Sequence, residues 1–180
     1  MTTIRMGTRR SQLAAGLAKL VGRDEVLITE NVDPEIIGGV VAKVGDLTSK
    51  NKSGKLILRL PKGSEVLSAI TVNDYASDLI VAITNEGRML MFPLSDLPRL
   101  AKGKGNKIIN ISRARVADRL EFVVALVALT AEDTLTVHAG RRHHNLKPAD
   151  LLHYRGERGR RGNKLPRGFQ NVDRIELGQF

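Results

Sequence analysis

Three anchors recur in the same order about every 50 residues along this 180-residue chain, and a period of that length constrains the fold more than any other feature of the sequence. The first anchor is a turn followed by a segment ending in Asp-Leu: GGVVAKVGDL (38–47), EGRMLMFPLSDL (86–97) and AGRRHHNLKPADL (139–151). The second is a basic, glycine-containing loop that ends in Lys plus an aliphatic residue: TSKNKSGKL (48–56), AKGKGNKI (101–108) and RGERGRRGNKL (155–165). An apolar strand candidate follows each loop, LILRL (56–60), IINI (108–111) and a weaker LPRGF (165–169). A further strand closes each unit: VLSAITV (66–72), FVVALVAL (122–129) and VDRIEL (172–177).

These runs are short, rich in Val, Ile and Leu, and separated by Gly, Asn, Asp and Pro, which is the pattern of strands. DLIVAITNEGRMLMF (78–92) reads as a hairpin turning at Asn85-Glu86-Gly87, and TLTVHAGRRHHNL (134–146) as one turning at Ala139-Gly140. About four short strands per 40–50 residues is the signature of propeller-like blades. The expectation is therefore an all-β fold, an array of about three four-stranded blades in an incomplete ring, with units near 23–73, 74–130 and 131–180. An ordinary sandwich with basic loops stays open on spacing alone. Residues 1–22 lie outside the repeat as a leader, and QLAAGLAKLV (12–21) is the one convincing helical stretch, weakened by Gly16.

Charge singles out a partner class. Lys and Arg number 29 against 19 Asp and Glu, a net charge of +10. The excess is uneven, with 13 basic and 11 acidic side chains in residues 1–100 but 16 and 8 in residues 101–180. Such a field attracts polyanions. The absence of Cys excludes a disulfide framework, a thiolate zinc site and a thiol nucleophile. No apolar run is long enough for a membrane span, and the basic Met1–Arg10 lacks the apolar core of a signal peptide, so no membrane partner and a cytoplasmic location are expected.

The basic loops are the candidate site. Glycines let backbone approach a phosphate while neighbouring cations neutralise it. The candidate DNA-binding residues are Lys50, Lys52 and Lys55 in the first loop, Lys102, Lys104 and Lys107 in the second, and Arg155, Arg158, Arg160, Arg161, Lys164 and Arg167 in and just after the third. Arg141 and Arg142, beside His143 and His144, join them. Loops at matched points of a radial array would share one rim and read phosphates more than bases. Six aromatic residues are too few for the stacking platforms of a single-strand binder, so duplex DNA is the expected substrate. A basic RNA-binding or ribosome-associated protein is the alternative.

Catalysis, metal and cofactor find no support. The sequence has no GxSxG, HExxH or Walker loop, and GKGNK (103–107) lacks the span and the Ser/Thr of a nucleotide-binding loop. Alternation puts His143 and His144 on opposite faces of a strand, which does not suit a metal site. Tyr75 sits in the acidic VNDYASD, a poor setting for a phosphotyrosine intermediate, and Tyr154 reads as a packing or stacking residue.

With these loops in hand, SDLIVAITNEGRMLMFPLSDLPRLAKGKGNKIINI (77–111), HYRGERGRRGNKLPRGFQNVDRIEL (153–177) and GKLILRLPKGSEVL (54–67) resemble the C-terminal domain of the A-subunit of bacterial DNA topoisomerase IV, a relative of the gyrase A C-terminal domain. The resemblance covers about residues 36–180. It implies a β-pinwheel, blades sharing strands, whose basic rim binds and bends duplex DNA and positions it for ATP-dependent strand passage, relaxation and decatenation. The chain would serve with the catalytic core of the A-subunit and with the ATPase B-subunit, at the chromosome, while cleavage belongs to a tyrosine in another module. The gyrase-type box QRRGGKG has only a partial echo here in RGRRGNK (158–164), which favours bending over tight wrapping. Residues 3–14, TIRMGTRRSQLA, resemble the beginning of hydroxymethylbilane synthase, a remote alternative; that enzyme holds its cofactor through a cysteine, and this chain has none.

Overall fold

The Val-, Ile- and Leu-rich runs form strands and the Asn, Gly and Asp between them form turns in a computed structural model, which describes residues 67, 69–99 and 105–178 in full and strand pairing alone for residues 2–6, 25–31, 38–43, 55–60 and 65–66. In chain order the elements are β1 (Thr2–Met6), β2 (Glu25–Asn31), β3 (Gly38–Lys43), β4 (Lys55–Leu60), β5 (Glu65–Val66), β6 (Ile70–Val72), β7 (Leu79–Thr84), β8 (Arg88–Pro93), β9 (Asn106–Lys107), α1 (Arg113–Ala117), β10 (Val123–Leu129), β11 (Thr134–Ala139), β12 (Arg142–Leu146), α2 (Pro148–Leu151), β13 (Asn163–Lys164) and β14 (Arg174–Gly178). The named strands pair antiparallel, as expected for an all-β chain of hairpins.

One pattern repeats through the sheets. Three of them, all but the β1–β4 pair, are built on a hairpin, β2–β3, β7–β8 or β11–β12. The strand that follows later in the same unit, β6, β10 or β14, pairs with the first strand of the hairpin. The second strand of the hairpin is then completed from the next unit: β9 pairs with β3 through Gly38↔Lys107, and β13 pairs with β8 through Asn163↔Met89. The second sheet thus runs β10-β7-β8-β13, and the third runs β12-β11-β14 among the described residues. Neighbouring units are joined by backbone hydrogen bonds as well as by side-chain packing.

Period-two alternation sorts the middle sheet into two apolar faces. Ile80, Ala82, Leu90 and Phe92 pack with Val72, Ile108, Ile109, Ile111, Val116 and Val123. Val81, Ile83, Met89 and Met91 pack on the other side with Leu135, Val137, Leu146, Leu151, Tyr154 and Leu165. A sheet covered on both faces needs continuous apolar strands, and β7 and β8 have them.

Several expectations are corrected in detail. IINI (108–111) is not a strand; pairing is confined to Asn106–Lys107, and Ile108, Ile109 and Ile111 are buried as an irregular connection. LPRGF (165–169) forms a turn, because Pro166 cannot donate to a ladder and Gly168 takes φ +94°. VLSAITV (66–72) is split between β5 and β6. The helix α1 was not anticipated, since Val116 is its only buried residue and it shows no periodic stripe. The helical stretch 12–21 lies outside the described residues. Within residues 1–22, Thr2–Met6 pairs with β4, from Thr2↔Leu60 to Met6↔Lys55. No helix among the described residues is long and apolar enough to cross a membrane.

Candidate nucleic-acid interface

The third basic loop, residues 155–164, lies between two earlier parts of the chain. On one side it presses on β8: the Gly156 N–H donates to the Met91 carbonyl (2.9 Å), and Arg88 Nη1 donates to the Gly162 carbonyl (3.1 Å). At Gly162 φ is +73°, and a Cβ there would collide with the Met89 carbonyl, so glycine is required twice over. On the other side the loop docks on the foot of the second loop. The Gly159 N–H donates to the Ile108 carbonyl (2.8 Å), the Asn110 N–H to the Arg160 carbonyl (2.9 Å), and Arg158 Nη1 to the Lys107 carbonyl (2.7 Å). The N–H groups of Gly156 and Gly159 are thereby engaged inside the protein, so any charge the loop presents comes from its basic side chains.

Those side chains divide into two sets. Arg155, Arg160, Lys164 and Arg167 are exposed. Arg160 makes an ion pair of 2.9 Å with Glu157, both largely in water, and such a pair contributes little. Lys107 Nζ donates to Asn110 Oδ1 (2.7 Å). Arg158 and Arg161 instead reach inward. Arg161 places Nη1 and Nη2 each 2.6 Å from the two oxygens of Glu121, whose side chain is fully buried. Arg115 Nε donates to Glu121 Oε2 (3.1 Å) and Thr84 Oγ1 to Oε1 (3.1 Å). Burial pushes the Glu121 carboxyl up, but the hydrogen bonds and charge of Arg161, with the Thr84 hydroxyl and Arg115, outweigh it and hold the group below its ordinary value.

Arg141 and Arg142 sit at the turn and start of β12, exposed. A Cβ on Gly168 would overlap the Arg142 guanidinium, so Arg142 lies over the turn that carries Arg167. His143 and His144 occupy opposite faces: His143 is cross-strand from His138, ring centroids 6.3 Å apart, and His144 packs 5.3 Å from Phe169. Tyr75 donates its hydroxyl to the Leu97 carbonyl (2.6 Å) beneath the Arg99 guanidinium, which lies 3.9 Å from the ring centre. Tyr154 is buried, with its hydroxyl pKa raised by burial and then by Asp150.

The structure therefore brings Lys107 together with the third loop, and Arg142 with Arg167. Lys50, Lys52, Lys102 and Lys104 lie outside the described residues, and Lys55 is described only as the start of β4. Sequence reasoning missed Glu121. The only signal was an acid placed directly before the apolar run of β10.

Comparison with known proteins gives this geometry a context. The family model "DNA gyrase C-terminal domain, beta-propeller" matches residues 42–73 and 78–130, and "ATP synthase delta (OSCP) subunit" matches residues 7–50. The A-subunit of DNA topoisomerase 4 from Pseudomonas aeruginosa is 56% identical over 137 residues, 76% of this chain and 18% of that protein. Its Escherichia coli K12 namesake is 48% identical over 139 residues, 77% of this chain and 18% of its own length. The chain thus spans about a fifth of the length of these relatives. The solved E. coli ParC C-terminal domain aligns with TM-score 0.76 and 43% identity, covering 87% of this chain and 61% of that one.

Proposed function

From the premise that this chain belongs to the topoisomerase IV A-subunit family and carries its C-terminal β-pinwheel, we propose that it is a non-catalytic module that binds and bends duplex DNA. In the full enzyme it positions the duplex for ATP-dependent strand passage, relaxation and decatenation. It does so alongside the catalytic core of the A-subunit and the ATPase B-subunit, at the chromosome in the cytoplasm. The pinwheel binds through backbone phosphates, using the exposed Arg155, Arg160 and Lys164 of the third loop, while Lys50, Lys52, Lys55, Lys102, Lys104 and Lys107 add positive charge from the other two basic stretches of the sequence.

The observation that carries this reading is the third loop itself. Its backbone is tied to β8 and to Lys107–Asn110, so the exposed Arg155, Arg160, Lys164 and Arg167 project from a fixed base. Cations carried on a tethered backbone require less loop ordering on meeting a phosphate than cations on a mobile loop. If about six phosphates are neutralised, log K falls against log salt with a slope of roughly −5. A salt series of duplex affinity measures it. Replacing Arg155, Arg160 and Lys164 together by Ala lowers that slope by up to about three and weakens all duplex sequences alike. A flat salt response, preference for one short sequence, or stronger binding to structured RNA than to duplex DNA would sink the reading.

A further inference from the structure

We propose that Glu121 is the positioning residue of the third basic loop and that Arg161 is its internal anchor rather than a phosphate contact. The proposal rests on the DNA-binding reading above and says which cations of the loop do the binding and what holds them in place.

Four segments meet at one carboxylate. Thr84 comes from the end of β7, Arg115 from α1, Glu121 from the lead into β10, and Arg161 from the loop, 40 residues further along the chain than the acid it pairs with. Glu121 is fully buried, and both its oxygens are taken, Oε1 by Thr84 and Arg161, Oε2 by Arg115 and Arg161. A carboxylate removed from water is tolerated only when its lone pairs are met in this way. The arrangement also selects geometry, because two parallel donors 2.6 Å from two oxygens fit a planar guanidinium and not the point charge of a lysine. Arg161 Nη1 also donates to the Asn110 carbonyl (3.2 Å), beside the point where the Asn110 N–H meets the Arg160 carbonyl. The anchor therefore fixes the backbone next to Arg160, whose side chain is exposed. Arg115 carries the tie outward to Glu86 in the β7–β8 turn (3.0 Å), so the anchor is shared with the hairpin on which the loop lies.

The consequence has an unusual sign. In a domain that binds a polyanion, deleting a negative charge strengthens binding if the charge acts only through its field. If Glu121 positions the loop, its neutralisation weakens binding. In the full chain, Glu121→Gln should lower affinity for a random-sequence duplex by roughly tenfold at fixed salt, with the affinity referred to the folded fraction determined by circular dichroism. Glu157→Gln, which removes the exposed acid beside Arg160, should strengthen it slightly. Arg161→Lys keeps the positive charge and loses the paired geometry; as an anchor it weakens binding about as much as Glu121→Gln, and the double variant is no weaker than either single one. Hydrogen exchange at Arg158–Arg161 should rise in both single variants.

Unchanged or higher affinity of folded Glu121→Gln overturns the proposal, as does Arg161→Lys with wild-type affinity. A merely structural role would lower the melting temperature and leave the affinity of the folded fraction intact. If Glu121→Gln does not fold, Arg161→Lys decides alone, because its carboxylate keeps a cation opposite. Failure of the underlying reading is distinct: the wild-type chain itself would then show no salt-dependent binding to duplex.

Discussion

The middle and third sheets start from the same hairpin plan and end in different environments. In the middle sheet β8 reads RMLMFP and is buried through Met89, Leu90, Met91 and Phe92, with β13 on its outer edge. In the third, the equivalent strand β12 reads RHHNL and is exposed through Arg142 and His143, with Leu146 buried at its end. Their turns differ likewise. Gly87 is enclosed by the following unit: its carbonyl accepts the Leu165 N–H (2.8 Å), and neighbouring Asn85 accepts from Asn171 (2.8 Å) and Val172 (3.1 Å). Gly140 has open space where a Cβ would go. Shared plan and different neighbours teach that burial of β8 is set by what the next unit adds, whereas β12, with no strand paired to its outer edge among the described residues, carries mostly polar side chains.

Substitutions at matched places test this contrast. The largest difference is expected in the second strands: Phe92→Ala, which empties a site between two packed sheets, costs about 3–5 kcal/mol. Asn145→Ala in β12 stays within about 0.5 kcal/mol. Urea unfolding of the two variants measures the gap, and equal costs would break the comparison. The turns come next. Both glycines have positive φ, +69° at Gly87 and +59° at Gly140, so Gly140→Ala costs about 1–2 kcal/mol from backbone strain alone. Gly87→Ala costs more, because its Cβ would strike the Phe169 carbonyl. Thermal melts should rank them in that order.

Acid should produce the smallest effect, and it separates the sheets by position. Glu121 titrates below its ordinary value in the folded chain, so its contribution is complete above the unfolded value near 4.5 and is lost as pH falls through the folded one. Glu176 in β14 is held low as well, by hydrogen bonds from Arg174 and His138, but stands in water. Hydrogen exchange followed from pH 7 down to about pH 3.5 should therefore rise around Leu120–Val123 and Arg158–Arg161 before it rises in β11. Glu121→Gln should remove most of that acid dependence, and early opening of β11 instead would place the acid-labile contact in the third sheet.

The two hairpins were legible from the sequence, and the difference in their burial was not. The two hairpins were readable because strong turn residues sit between runs of period two, and SDLIVAITNEGRMLMF carries both signals. IINI misled because an apolar run says that a segment is buried and not what it pairs with; the partner of Asn106–Lys107 is Gly38–Gly39, two residues at the start of a distant strand. The site divides along the same line. Clustering of arginines marked the third loop, but the inward turn of Arg161 depends on an acid 40 positions away, and no local pattern encodes that meeting. Glycines read as a phosphate cradle are, at Gly156 and Gly162, concessions to a strand lying underneath.

The borrowing of strands from the next unit has a consequence for how the chain is made. The β7–β8 hairpin ends at Pro93, yet the strand that completes its sheet begins at Asn163, about 70 residues downstream. At synthesis rates of roughly 5–20 residues per second, the outer edge of β8 waits about 4–14 s for its partner to leave the ribosome. During that interval β8, buried through Met89–Phe92 in the finished fold, presents bare backbone donors and acceptors along that edge. Each unit is thus the chaperone of the one before it, and a ribosome that stalls between Pro93 and Asn163 leaves a nascent chain with this apolar edge uncovered.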